Sequence, residues 1–408
     1  MRKHCFNKLS FLKYCYCLVL PIERISIILF FFCKFHHSSI VFVTLVLQQP
    51  YAFRLQCRLS PQLCVVEDWN PKEEGFFVLN HLPDAQFTLR MSNLLISTIG
   101  TKFLTEVDRA VPSIIVEKSS SVKRLIVPSN CSIQFIHLHD TELNRMYFEA
   151  NRALTKLIVK KCPLKEIPPS INNLTSLKEL HMSETPITTI DFNYLQGRDL
   201  LNILVVEQNI VNYLTGMTES TNKSCLNIIK LRKSHLQTIN LDLFQPFQTL
   251  ELFDISSNML QSLTGTLSNP ELKYLSVSEN LLLAFDCCSW NPIRTLVSLS
   301  IGRNRLKEVP RCLITFANVK SIDFSYNVIS HIDMQDFDGL NHLEELDLGG
   351  NKLLTFEFRQ ELMLPNLIRL RLHESCICRL NDSEAVLERM PNLIVQFVVF
   401  SSEKCHAC

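Results

Sequence analysis

Leu343-Glu344-Glu345-Leu346-Asp347-Leu348-Gly349-Gly350-Asn351-Lys352-Leu353 places an apolar residue at its first, fourth, sixth and eleventh positions and an asparagine at its ninth. The same frame recurs with first positions at Leu154, Leu177, Leu201, Leu226, Leu250, Leu272, Leu296, Val319, Leu343 and Leu367, always 22 to 25 residues apart. A unit this short cannot bury its own apolar face, so each must cover the edge of the one before it. The spacing therefore predicts a solenoid, and a solenoid predicts a binding surface more readily than a catalytic cleft.

The frame is that of the leucine-rich repeat. It implies an α/β solenoid, a curved horseshoe with a parallel β-sheet on the concave face. In the L-x-L core the two leucines point inward along a short strand, and the intervening residues point out to that face. The column Asn209, Asn258, Asn280, Asn304, Asn327 and Asn351 falls where the chain leaves the strand, where an amide can donate to and accept from the turn backbone. Cys162, Thr185, Ser234 and Ser375 take that place in other units. A second apolar series, Ile171 with Leu174, Phe244 with Phe247, Leu313 with Phe316 and Phe337 with Leu340, reads as the core of the returning side.

The N-terminal part is less regular. Val122, Leu125, Val127 and Asn130 read as one weaker unit followed by a long excursion, while Phe87-x-Leu89-x-Met91 and Ile114–Val116 alternate like earlier strands. The expected organisation is a targeting segment over 1–52, an N-terminal cap over 53–84, repeats over 85–374 and a C-terminal cysteine cap over 375–408.

The chain has 408 residues, 41 Lys plus Arg against 40 Asp plus Glu, and only nine glycines. So balanced a charge supplies no broad field for nucleic acid or an anionic membrane. The first fifty residues differ from the rest, with apolar stretches at Phe11–Leu20, Ile25–Phe35 and Ile40–Leu47. Lys34, His36 and His37 before Ile40–Leu47 read as the charged and apolar regions of a signal peptide cleaved after Ala52. The length upstream is unusual for such a peptide: either the reading frame begins too early, or Ile25–Leu47 is an uncleaved anchor.

Twelve of the sixteen cysteines lie beyond Ala52, a usage that fits the oxidising secretory route. Cys57 and Cys64 fall where an N-terminal cap begins; Cys376, Cys378, Cys405 and Cys408 surround the other end. Cys288 and Cys312 both lie sixteen positions after their unit's first residue, so stacking brings them about one strand spacing, roughly 4.8 Å, apart, within disulfide reach. Cys131 and Cys162 match in the same way less closely, and Cys225 and Cys287 have no evident partners. Cys405-His-Ala-Cys408 reads as disulfide capping, since neither a four-ligand zinc site nor a βαβ setting accompanies it. Asn130, Asn173, Asn222 and Asn381 head glycosylation sequons.

No nucleophile elbow, zinc helix or phosphate loop occurs, so no catalytic residue, metal or cofactor is expected. His137, His139 and Asp140 form the best candidate cluster and read as surface. The outward strand positions carry more information. Ile203, Val205 and Ile228 leave an apolar strip beside Lys230, Arg232 and Lys233, and such a strip is uncommon unless something covers it. Lys123, Arg124, Lys156, Lys160 and Lys161 add positive charge upstream, and Asp323, Glu344, Glu345 and Asp347 add negative charge downstream.

Cys57 and Cys64 before Trp69, the Phe87–Phe103 segment, Asp286-Cys287-Cys288-Ser289-Trp290 and Val309-Pro310-Arg311-Cys312 together resemble mosquito leucine-rich-repeat immune proteins, over roughly Cys57 to Cys408. The resemblance implies a secreted, non-enzymatic protein of innate immunity that binds protein partners, complement-like thioester proteins among them, or microbial surfaces. Long members carry a C-terminal heptad coiled coil. The present sequence stops after the terminal cysteines, so pairing through a C-terminal coiled coil is not expected and the coil-less members are the better match. The alternative is a membrane-tethered adhesion or receptor-like ectodomain using the same face.

Overall fold

The computed structural model describes residues 53–58, 60–83, 87–195, 199–216, 224–332, 334–357, 364–375, 379–381 and 392–396. The chain forms two units, divided after Leu154. Both are built as parallel-strand solenoids, the architecture the repeat implies.

In the second unit, eleven main strands follow one another at the repeat spacing: Lys156–Lys160, Glu179–Ser183, Ile203–Glu207, Ile228–Lys230, Leu252–Asp254, Tyr274–Ser276, Ser298–Ser300, Ser321–Asp323, Glu345–Asp347, Arg369–Arg371 and Ile394–Gln396. Each pairs in parallel with the next, so equivalent repeat positions become Cα partners. The inward leucines lose nearly all contact with water: Leu250, Leu272, Leu296, Leu343 and Leu346 are 0% exposed. Burying a side chain of that size contributes about 1.5–3 kcal/mol, and the repeat multiplies the gain.

Short 3-10 turns, not long helices, carry the chain back. They include Pro169–Asn173, Leu241–Phe244 and Leu313–Phe316. The second apolar series is their buried side, with Phe192, Phe244, Phe247, Phe316 and Phe337 all 0% exposed. Phe244 packs on Phe253 at 4.3 Å between ring centroids and on Phe192 at 5.3 Å. Short parallel pairs reinforce this side, as in Thr238–Asn240 with Ser262–Thr264.

The first unit begins with an antiparallel hairpin, Arg54–Arg58 with Leu63–Glu67, in which Cys57 faces Cys64 and a disulfide joins them. Parallel strands Thr88–Ser92, Ser113–Ser119 and Phe135–Thr141 follow. One expectation is corrected here. The segment Arg124–Val127 does not supply a main strand; it pairs with Thr98–Ile99 and Arg145–Phe148 in a separate ladder. The excursion before Leu154 contains a further complete turn, in which Ile133, Ile136, Leu138 and Leu143 are buried and Thr141 stands at the asparagine position. A hydroxyl there hid the frame. The α-helix Thr101–Val107 packs Phe103, Leu104 and Val107 inward.

The residue before the asparagine column repeatedly takes a left-handed conformation, φ 55° at Gln208, 56° at Ser257, 55° at Glu279, 55° at Arg303 and 66° at Gly350. That turn swings the next side chain inward, and the amides interlock. Asn280 Nδ2 donates to Val277 O at 2.9 Å and Ile255 O at 3.2 Å, while its Oδ1 accepts from Leu260 N at 3.0 Å. Asn304 repeats this one turn on with Ile301 O at 2.9 Å, Val277 O at 3.0 Å and Leu282 N at 3.0 Å. Backbone groups that the short strands leave unpaired are thereby satisfied inside the solenoid.

Candidate binding face

The strand register converts scattered residues into rows on the open face of the second unit's sheet. One row reads Glu179, Ile203, Ile228, Leu252, Tyr274, Ser298, Ser321, Glu345 and Arg369. The next reads His181, Val205, Lys230, Asp254, Ser276, Ser300, Asp323, Asp347 and Arg371 in the same strands. Ile203 and Ile228 are therefore adjacent, as the alternation implies, and the apolar run continues through Leu252 to Tyr274, which is 48% exposed. Leu252 and Tyr274 escaped the sequence reading, although each occupies the same outward repeat position as Ile228. Val205 shares the face but is only 9% exposed, so it supports the strip more than it presents surface.

The three basic residues separate. Lys230 lies in the second row and forms no ion pair with any described carboxylate. Arg232 is already engaged: its Nε lies 3.4 Å from Asp254 Oδ2 and donates to Ser256 Oγ at 3.0 Å. Lys233 is corrected from a strand position to the turn, where φ is 50° and the side chain is exposed. Of the upstream cations, Lys156 is balanced by Glu179 at 2.7 Å and Lys160 by Glu184 at 3.1 Å. Lys156 holds the Glu179 carboxyl below its ordinary pKa, and burial pushes the His181 imidazole down despite Glu179 beside it.

Toward the far end, Ser298, Ser300 and Ser321 make a low floor. Asp323 accepts from Ser300 Oγ at 3.1 Å and from Ser325 N at 2.8 Å, with no cation paired to it among the described residues. Gly302 makes room for it, since a Cβ there would meet Asp323 Oδ2 at 2.7 Å. Asp347 contrasts with it, having Arg371 at 3.7 Å. Burial first, and the neighbouring Asp323 after it, push the Asp347 carboxyl up. Arg371 also reaches Glu345 at 3.6 Å, and Arg369 pairs with Glu345.

Cys288 and Cys312 are joined, with Cα atoms 5.1 Å apart. The Cys131 pairing with Cys162 is corrected: Cys131 is a free buried thiol, pushed up to about 11 by burial. Cys162 Sγ instead donates to Lys160 O at 3.2 Å. Cys287 keeps a buried thiol, pushed up to about 12 by burial, that donates to Arg311 O at 3.3 Å. Cys225 is exposed. Cys376, Cys378, Cys405, Cys408 and the sequon residue Asn222 lie outside the described residues, as does the 1–52 segment. Asn130 is exposed, Asn173 ends a 3-10 turn on the returning side, and Asn381 ends a short strand paired with Thr355–Glu357.

His137 and His139 do lie on one face, their rings stacked at 6.1 Å. Among the described residues no group of three or more His, Cys, Asp or Glu is disposed to hold a metal ion, and no helix is long and apolar enough to cross a membrane.

The family described as "Leucine rich repeat" matches residues 294–353. Repeat frame, stacked parallel strands and this match agree that the chain is a leucine-rich-repeat solenoid. It is 31% identical over 121 residues to an immunoglobulin domain and leucine-rich repeat-containing protein 2 of Caenorhabditis elegans, covering 29% of this chain and 15% of that protein. It is 30% identical over 227 residues to Toll-like receptor 3 of Homo sapiens, covering 51% of this chain and 24% of that one. Among solved structures, the plant peptide hormone receptor RGFR1 in complex with RGF2 aligns with a TM-score of 0.50 at 20% identity, over 74% of this chain and 49% of that one. The last likeness concerns fold alone. The chain spans about a quarter or less of the length of the two curated relatives named.

Proposed function

We propose that this chain is a non-enzymatic binding protein of innate immunity that works outside the cell, taking a protein partner or microbial surface component on the open face of its repeat sheet. The observation that carries the reading is the apolar run Ile203, Ile228, Leu252 and Tyr274, four neighbouring strands presenting apolar side chains in a row whose other positions, from Glu179 to Arg369, are polar. Apolar surface aligned in this way favours coverage by a partner. Lys230 and Lys233 flank the run and supply charge for orientation.

The extracellular placement is supported by the Cys57–Cys64 and Cys288–Cys312 disulfides, bonds that persist in oxidising compartments. The immune role is supported by the resemblance carried by the Cys57–Trp69 and Asp286–Cys312 segments and by the similarity to a Toll-like receptor over half of the chain. Complement-like thioester proteins are partners of the kind this reading admits. A glycan on Asn173, which ends a 3-10 turn on the returning side, would leave the open face clear. The tethered alternative keeps the same face and rests on the apolar stretch Ile25–Leu47; N-terminal sequencing of the protein recovered from culture medium separates the two.

The test is affinity capture from native extracellular fluid with the full chain, followed by binding measurements on the captured partner. A folded Leu252→Asp, Tyr274→Ala variant should lose at least tenfold in affinity, since such central residues carry roughly 1–2 kcal/mol or more each. Unchanged affinity in that variant would remove the binding site from this face.

A further inference from the structure

Most charges on the open face of the second unit cancel within it. Lys156 pairs with Glu179 at 2.7 Å, Arg232 with Asp254 at 3.4 Å, Arg371 with Asp347 at 3.7 Å and Arg369 with Glu345, while just before the strands Lys273 pairs with Glu251 at 2.9 Å and Lys320 with Glu344 at 2.8 Å. Among the described residues, two positions of the face's two rows are left over, and they have opposite sign; Glu207, the next outward residue of Ile203–Glu207, lies outside the two rows and also has no ion pair. Among the described residues Lys230 has no carboxylate at ion-pair distance, and Asp323 has hydrogen bonds from Ser300 and Ser325 but no cation. Both belong to one row, linked by successive Cα partners Lys230, Asp254, Ser276, Ser300 and Asp323. Four strand steps of about 4.8 Å separate them by roughly 19 Å. The adjacent row between the two runs from apolar Ile228, Leu252 and Tyr274 to the low hydroxyls of Ser298 and Ser321.

From this juxtaposition we infer that the occupant of the face is an extended polypeptide segment carrying an acidic residue for Lys230, a basic residue about six positions away for Asp323, and apolar side chains at alternate positions between them. Six residue steps of an extended chain, at about 3.3 Å each, cover roughly 20 Å and match the separation of the two charges. In such a chain the residues second and fourth from the acidic one project to the same side as both charges, at about 6.6 and 13.2 Å along the row, the second between Leu252 and Tyr274 and the fourth between Tyr274 and Ser298. A segment lying across the strands in this way uses side chains for its recognition, because the strands beneath it already pair their backbones with each other. The inference deepens the binding reading above and rests on it.

The probes are capped seven-residue synthetic peptides, acidic–Thr–Leu–Thr–Leu–Thr–basic, with Asp and Lys as the terminal charges, measured against the full chain by fluorescence anisotropy. The controls replace both charges by Thr, make both Lys or both Asp, or bring the two charges to three positions apart. The Asp/Lys peptide should bind about tenfold more tightly than the uncharged one, the size expected of one charge-assisted contact, with the excess lost in high salt. Charge exchange supplies a readout that misfolding cannot mimic. Lys230→Glu should prefer the Lys/Lys peptide, and Asp323→Lys the Asp/Asp peptide, each by a similar factor over the Asp/Lys peptide. Equal binding of charged and uncharged peptides, or of the six-apart and three-apart spacings, overturns the inference while leaving the apolar strip as a binding site. Failure of every peptide to bind overturns it as well; the wider reading then stands or falls on the Leu252→Asp, Tyr274→Ala variant and the captured partner.

Discussion

Replacing Asn304 by alanine should cost about 3 kcal/mol of stability, far more than a surface asparagine, and the reason lies in the ladder. Asn304 is 7% exposed. Its Nδ2 donates to Ile301 O at 2.9 Å, Val277 O at 3.0 Å and Gly302 O at 3.3 Å, and its Oδ1 accepts from Leu282 N at 3.0 Å. The carbonyls are partly insured, because Val277 O also accepts from Asn280 at 2.9 Å and Ile301 O from Asn327 at 3.2 Å. The Leu282 N–H faces a buried side chain that alanine cannot replace. Leaving it bare costs about 1–3 kcal/mol, and the three shared bonds add about 0.5 kcal/mol or more each. Asn304→Asp should do no better, since it keeps the acceptor but turns a carboxylate toward the carbonyls. Urea unfolding followed by circular dichroism reads the total, and amide exchange at Leu282 reads the local part. The control is Asn318→Ala, whose exposed side chain donates to Arg294 O at 3.0 Å and should cost about 0.5 kcal/mol. A loss for Asn304→Ala no greater than the control's, with Leu282 still protected, would refute the ladder as a source of stability.

Ser234→Asn should raise stability by about 1 kcal/mol, because the Ser234 hydroxyl is buried without a partner in a column otherwise rich in asparagine amides; no rise in the urea midpoint would mean the turn cannot admit the longer side chain. Cys312→Ser should lower stability by about 3 kcal/mol in chain-entropy terms, since the Cys288–Cys312 bridge closes a separation of 24 residues; non-reducing peptide mapping should recover the linked peptides from the parent. Asp347→Asn should raise the melting temperature at neutral pH. The folded-state carboxyl is raised by burial and by Asp323, so its ionisation opposes folding above the unfolded pKa, and the gain should vanish near pH 3, where the carboxyl is protonated in both states. A gain equally large near pH 3 would assign it to packing.

The repeats of the second unit are legible in the sequence because their determinants are local. Alternating leucines decide which side of a short strand faces inward, and the asparagine column marks where the chain must turn. Legibility fails where another residue does the same work. Thr141 stands in for asparagine and conceals a complete turn, and Arg124–Val127, which carries the right apolar spacing, pairs in the side ladder because Ser113–Ser119 already occupies the main sheet at that turn. The candidate face was visible only in part. Ile203 and Ile228 stood out beside lysines, but Leu252 and Tyr274 join them through the parallel register, which adds one strand at a time across gaps of more than twenty residues. Charge is more deeply a tertiary matter. Lys230 and Arg232 look alike in the chain, yet Arg232 meets Asp254 from the next turn at 3.4 Å while Lys230 has no such partner among the described residues. Composition states how many charges exist; stacking decides which of them cancel, because an ion pair is set by separations of a few ångströms between residues far apart in sequence.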